Sequence, residues 1–223
     1  MCIILIYTYT GYDYMHSKGT LYIITAASGT GKTSLSKALS SVMDNILISI
    51  SYTTRQIRAN EQADQHYFFI SKTEFENLIK KNSLIEYTYI FGCYYGSSRK
   101  WIEKQLDAGI DIILNINWHG AMQIRKQFEC VSIFLLPPSI QALHHRLETR
   151  KRENTQIIAE RLAAANSEII HCTEFDYIII NDNFNDALQD LQSIIQSQRL
   201  LSKKQIVKYN NLIQNLSCNN KQN

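Results

Sequence analysis

The residues best fitted by type and spacing to do chemistry are Ala26, Ala27, Ser28, Gly29, Thr30, Gly31, Lys32 and Thr33. They close on the Gly-Lys-Thr of the pattern G-x-x-x-x-G-K-[ST], with Ala26 in place of the first glycine. Small residues let successive backbone N–H groups turn inward onto phosphate oxygens. A helix starting at the loop adds the positive end of its dipole. Lys32 then reaches the β and γ phosphates of a nucleoside triphosphate, and the Thr33 hydroxyl is a ligand for Mg²⁺. The bland alternative is a glycine-containing turn that binds nothing. The apolar run Leu21–Thr25 before the loop and the amphipathic run to Met43 after it read strand, phosphate loop, helix, and argue against that.

Such a loop needs a sheet to stand on. Further strands are expected at Ile46–Ser51, His66–Ile70, Leu84–Phe91, Asp111–Ile116, Val131–Leu135 and Tyr177–Ile180. Residues 53–66 read as loop and Gly92–Gly96 as a turn. Thr73 and Glu76 form a capping-box pattern for a helix to Lys81. Helices are also expected over 98–108, closing at Gly109, and over 118–128. Others begin at Ser139 and at Asn154 or Thr155, and a last one runs from Phe184 to about Gln214 with a break near 200–202. Strands alternating with helices at both ends of the chain predict an α/β fold, a parallel sheet covered by helices. Residues 46–97, richer in short strands and turns, read as an inserted lobe.

The 223 residues suit one such domain with inserted subdomains, and 45% apolar residues supply a core. A net charge of +3 with no Lys/Arg run gives no footprint for nucleic acid. The apolar stretch Cys2–Tyr7 is too short to span a bilayer, and neither a preceding basic residue nor a clean cleavage site marks a signal peptide. No membrane partner is expected. Cys2, Cys93, Cys130, Cys172 and Cys218 are far apart, with no C-x-x-C pair, as reduced thiols of a cytoplasmic protein would be. Residues 1–18 form an N-terminal extension, within which Met15 is the expected true start.

A second constellation is far more specific. Ser51-Tyr52-Thr53-Thr54-Arg55, Arg58, Glu61, Tyr67 and Phe69 follow T-T-R-x-x-R-x-x-E and Y-x-F, and Ile85-Glu86 and Phe91–Ser97 follow in order. Here the chain resembles the guanylate kinase family, from about Gly19 to Arg199. The resemblance implies a P-loop nucleoside-monophosphate kinase fold: a core over 19–199, a GMP-binding lobe near 51–97, a helical lid near 144–161, and a C-terminal helix with a frayed tail over 200–223. It implies phosphoryl transfer from ATP, with Mg²⁺, to GMP or dGMP. It assigns Arg55, Arg58, Tyr67 and Tyr95 to the GMP phosphate, where two guanidinium forks meet a dianion and two phenols add neutral donors. It assigns Ser51, Glu86 and Ser97 to the substrate, mainly its base. A carboxylate at Glu86 accepts from both N1–H and the exocyclic amine of guanine; adenine offers neither in that arrangement.

The resemblance also places Arg146, Arg150 and Arg161 in or beside the lid. Phosphoryl transfer builds negative charge on the moving oxygens, which arginines stabilise. With Lys32 they form the expected catalytic set. The main departure is Asn115-Ile116-Asn117, where the family carries Asp-x-Asp. The first acid orients Mg²⁺ through water and the second faces GMP. Neutral Asn115 and Asn117 predict weaker Mg²⁺ positioning and slower turnover. Ile57, Asn60 and Asp64 replace the family's proline and glycines, and Lys151 and Arg152 its neutral residues.

Three readings follow. The first is an active ATP:GMP phosphotransferase. The second is a weakly active or non-catalytic GMP-binding module, favoured only by the asparagine pair. The third is a kinase for another monophosphate. A homo-oligomer is compatible with the sequence without being derivable from it.

Overall fold

The computed structural model describes residues 17–58, 61–149 and 155–219. The expected start at Met15, and Asn60, Arg150, Lys151, Arg152 and Asn154, lie outside the described residues. In chain order the elements are β1 (Leu21–Ala26), α1 (Lys32–Val42), β2 (Ile46–Ile48), β3 (Tyr52–Thr53), β4 (Phe68–Phe69), α2 (Lys72–Lys80), β5 (Leu84–Ile90), β6 (Cys93–Ser98), α3 (Arg99–Asp107), β7 (Asp111–Asn115), α4 (Trp118–Arg125), β8 (Val131–Leu136), α5 (Ile140–Thr149), α6 (Thr155–Ile169), β9 (Tyr177–Ile180), α7 (Phe184–Arg199), α8 (Ser202–Lys208) and α9 (Asn210–Asn219).

The main sheet is parallel, in the order β2-β7-β1-β8-β9. Its central strands β7, β1 and β8 are buried on both faces, which explains their unbroken apolar runs, while the edge strands β2 and β9 leave Leu47, Ile178 and Ile180 exposed. Tyr22, Ile24 and Ala26 point to one side and join Leu35 and Leu39 of α1 and Leu191 and Ile195 of α7. Leu21 and Ile23 point to the other and join Ile102 and Leu106 of α3 and Ala121 and Ile124 of α4. Burying each of the leucine and isoleucine side chains contributes roughly 1.5–3 kcal/mol. Two helical layers thus clamp β1, and the phosphate loop leaves its carboxyl end.

A second sheet, β4-β3-β6-β5, carries the inserted lobe. Three local expectations are corrected here. Residues 93–96 are not a turn but the start of β6, which pairs antiparallel with β5 from Ile90↔Cys93 onward. The turn is the two residues Phe91 and Gly92, with φ of 48° and 77°, a type I′ hairpin signature. Thr53, expected in a loop, belongs to β3. The capping box is Ser71 with Glu74, not Thr73 with Glu76: Ser71 Oγ accepts from the Glu74 amide at 3.2 Å, and Glu74 Oε2 accepts from the Ser71 amide at 2.8 Å. Both sequences fit the pattern, but Ser71 follows β4 closely enough to cap first. The long C-terminal helix is divided into α7, α8 and α9.

Candidate active site

The phosphate loop is held by its glycines and by contacts distant in sequence. Gly29 and Gly31 have φ of 97° and 105°, where a side chain is strained. A Cβ on Gly29 would also stand 2.8 Å from Leu147 of α5, and one on Gly31 would stand 2.6 Å from Asn181 Nδ2. Among the described residues no side chain caps α1, so the amides at its start are left for another acceptor. Lys32 donates to the Ile116 carbonyl at 3.1 Å. Burial holds its ammonium below the usual lysine range, opposed by the charges of Glu168 and Glu86. Thr33 is exposed in the first turn of α1.

The expected magnesium-side residue Asn115 ends β7. Its Oδ1 accepts from Ser36 Oγ of α1 at 2.8 Å. Asn117 caps α4 instead, accepting from the Gly120 amide at 3.0 Å.

In the lobe, Glu61 is the organising residue. Both its oxygens accept from one nitrogen of Arg55, at 2.8 and 3.0 Å, and Oε2 also accepts from the Arg58 amide at 2.9 Å. Burial alone would raise its pKa, but the Arg55 hydrogen bond and the Arg58 amide outweigh it and hold the carboxyl below its usual range. The Arg55 guanidinium lies over Tyr67 and Phe69, at 5.5 and 5.7 Å from the ring centroids. Tyr67 meets Tyr95 edge to face at 5.9 Å.

Glu86 lies on β5 where the register with β6 shifts between Leu84 and Glu86. Such a bulge re-aims side chains. Leu84, Ile85 and Glu86 are consequently buried in succession, against the alternation of a strand. Glu86 accepts from Ser97 Oγ at 2.8 Å, and Ser97 meets Ser51 Oγ at 3.2 Å. Burial pushes the carboxyl up to about 7, against the Ser97 hydrogen bond and the Lys32 charge.

These pieces face one cavity of about 230 Å³ between the sheets. Of the expected residues, Ser28, Lys32, Ser51, Arg58, Tyr67, Glu86, Tyr95, Asn115, Asn117 and Arg161 reach its wall. Arg161 of α6 also approaches Ser28 Oγ at 3.4 Å. Arg55 lies against the Tyr67 ring and Ser97 donates to Glu86, and neither lines the cavity. Arg146 does not reach it: its guanidinium donates to the Asn181 carbonyl at 2.9 Å. Arg150 lies outside the described residues.

Two supporting residues went unread in the sequence. Buried Asn181 donates from Nδ2 to the Thr30 carbonyl at 2.6 Å, tying the loop to the end of β9 across 151 residues. Ser36 fixes Asn115. The only sequence cue for Asn181 was a polar residue directly after a buried strand; the partner is set by the β1–β8–β9 register alone.

A glycine-bearing loop between β1 and α1 at the carboxyl end of a parallel sheet, opposite a lobe of arginines and phenols, defines the P-loop class of protein. The guanylate kinase family model matches residues 18–198. The guanylate kinase of Vibrio parahaemolyticus is 47% identical over 199 residues, covering 88% of this chain and 96% of that one. That of Aliivibrio fischeri is 48% identical, covering 90% and 98%. The crystal structure of guanylate kinase from Anaplasma phagocytophilum superposes with a TM-score of 0.70 at 29% identity, over 83% of this chain and 89% of that one. The chain belongs to the guanylate kinase family.

Proposed function

We infer that this chain transfers the terminal phosphoryl group of ATP to GMP, and to dGMP, giving ADP and the nucleoside diphosphate. The observation that carries the reading is Glu86: a carboxylate 3% exposed, hydrogen-bonded to Ser97, on the same cavity wall as Lys32. A buried carboxylate without a fitting donor is costly, so it selects a ligand edge that offers two N–H groups, as guanine does.

ATP lies with its phosphates in the loop Ala26–Thr33, Lys32 leaving the Ile116 carbonyl for phosphate oxygens. Arg58, Tyr67 and Tyr95, on the cavity wall, hold the GMP phosphate, and Arg55, packed on Tyr67 with its angle fixed by Glu61, adds its charge from behind them. Ser51, Glu86 and Ser97 hold the base, and Asn117 faces it from the start of α4. This arrangement sets a GMP oxygen in line with the γ phosphate, the main catalytic contribution for a reaction with little covalent work for the protein. The nucleophile is already ionised, so no general base is required. Lys32 and Arg161, with Arg150, stabilise the charge on the moving oxygens. Arg146 acts at one remove, bracing the strand end that holds the loop.

Mg²⁺ fits this donor set in a reduced form. The exposed Thr33 hydroxyl is open to it, but no carboxylate stands at 115 or 117, and Asn115 Oδ1 is taken by Ser36. Among the described residues no three His, Cys, Asp or Glu side chains cluster to hold a metal. When bound, the ion would neutralise phosphate charge, with the Thr33 hydroxyl as the ligand this chain would offer. The retained phosphate loop favours catalysis over a binding-only module. Among the described residues no helix is long and apolar enough to cross a membrane, and a cytoplasmic location fits the separated cysteines.

The test is coupled detection of ADP formed from ATP with GMP, dGMP, AMP or UMP. Turnover confined to the guanine nucleotides supports the reading; equal turnover with AMP, or none with GMP, refutes it.

A further inference from the structure

The carboxylate of Glu86 owes its position to a residue on another element. Gly120 is the third residue of α4, and it is buried. Its backbone is ordinary helix, so nothing in its dihedral angles requires glycine. Alanine would favour the helix. The space around its Cα is what excludes a side chain: a Cβ there would stand 2.6 Å from Glu86 Oε2 and 3.3 Å from Glu86 Cδ. The same point is 3.4 Å from Asn117 Oδ1, which accepts from the Gly120 amide.

The Glu86 side chain has little freedom to move aside. Its other oxygen accepts from Ser97 Oγ at 2.8 Å, and its backbone is set by the β5–β6 bulge. The carboxylate is therefore pinned between Ser97 on one side and the bare Cα of Gly120 on the other. We propose that Gly120 is a specificity-determining positioning residue: it reserves the volume in which Glu86 lies against the first turn of α4 and so sets the angle at which the carboxylate meets the purine. This rests on the reading of Glu86 as the guanine-selecting group.

The experiment is a kinetic cycle of Gly120→Ala, Glu86→Asp and the double variant, with KM for GMP, KM for ATP, kcat for GMP and AMP, and melting temperature. Asp is one methylene shorter and vacates the space a Cβ would enter. Gly120→Ala is expected to raise KM for GMP about tenfold and to erode the preference over AMP, with KM for ATP within about twofold, as befits a contact at a single subsite. In the Glu86→Asp background the same substitution is expected to change KM for GMP by less than about threefold, since coupled neighbours are non-additive. A merely structural glycine would move stability and both KM values together, in either background. Equal effects of Gly120→Ala in the two backgrounds, or none in the parent, overturn the proposal. If Gly120→Ala fails to fold, a folded double variant supports the clash with Glu86 and an unfolded one overturns it. If Glu86→Asp alone leaves GMP binding and purine preference intact, the guanine reading itself fails, separately from the glycine.

Discussion

Ser97 Oγ donates to Glu86 Oε1 at 2.8 Å with both side chains buried, so the carboxylate proposed to read the base is held in place by its own neighbour. Burial sets its titration. The unfolded carboxyl titrates near 4.5 and the folded one near 7. Between those values the folded state keeps a proton that the unfolded state has released. The residue's contribution to stability therefore declines as pH rises from about 4.5 to 7, by about 3 kcal/mol in all. Glu86→Gln removes the decline, and its melting temperature relative to the parent is expected to climb across that window. On the proposed reading GMP needs the ionised form, so the parent's kcat/KM for GMP is expected to fall as pH drops below about 7. A pH profile in Glu86→Gln that keeps this limb would show that another group causes it.

Glu61 holds Arg55 and the Arg58 amide together, and both members of its ion pair with Arg55 are mostly buried. Glu61→Gln keeps the shape and removes the charge. The expected result is a rise in KM for GMP of about tenfold with little change in KM for ATP, and a stability loss of about 1–2 kcal/mol. Urea denaturation alongside steady-state kinetics checks both; an unchanged KM for GMP would place Arg55 outside the substrate site.

Asn181 ties the phosphate loop to β9 through the Thr30 carbonyl, and its own carbonyl accepts from Arg146. Asn181→Ala leaves a buried acceptor unpaired, at about 1–3 kcal/mol. KM for ATP is expected to rise more than KM for GMP. Asn181→Asp sets a carboxylate against a carbonyl oxygen and is expected to be worse than alanine. Measured unfolding free energies that reverse this order contradict the clamp.

The asparagines at 115 and 117 serve structural roles that aspartate also fills: one accepts from Ser36, the other caps α4. Asn and Asp rank equally as N-caps. The Asn115→Asp, Asn117→Asp double variant is therefore expected to fold as well as the parent and to show higher kcat/KM for GMP at limiting Mg²⁺. Titrating Mg²⁺ at fixed ATP is the measurement, and identical curves for variant and parent would remove the asparagines from the account of the metal.

The legible parts of this chain were those written in local sequence. Strand, loop and helix at 21–43 announce themselves because periodicity changes there and glycines mark the turn. The spacing of Arg55, Arg58 and Glu61 was visible because one loop carries all three. The hairpin at Phe91–Gly92 was misplaced because an aromatic with positive φ is a poor turn signal beside four later residues that end in glycine. Arg146 was expected in the catalytic set, in or beside the lid, but which way a helical arginine points depends on the partner that the end of β9 presents. Asn181, Ser36 and Gly120 were missed for the same reason. Their partners Thr30, Asn115 and Glu86 lie on other elements, and only the assembled sheets bring them together.

The central claim is that one buried carboxylate selects the purine. Its most direct test is the ratio of kcat/KM for GMP to that for AMP, in the parent and in Glu86→Gln, at pH 8 where the parent carboxyl, titrating near 7, is mostly ionised. The account predicts a ratio that falls by about a hundredfold or more in the variant, the scale expected when a site built around hydrogen bonds loses one partner. A ratio that stays within about threefold of the parent's, well inside that scale, would contradict it.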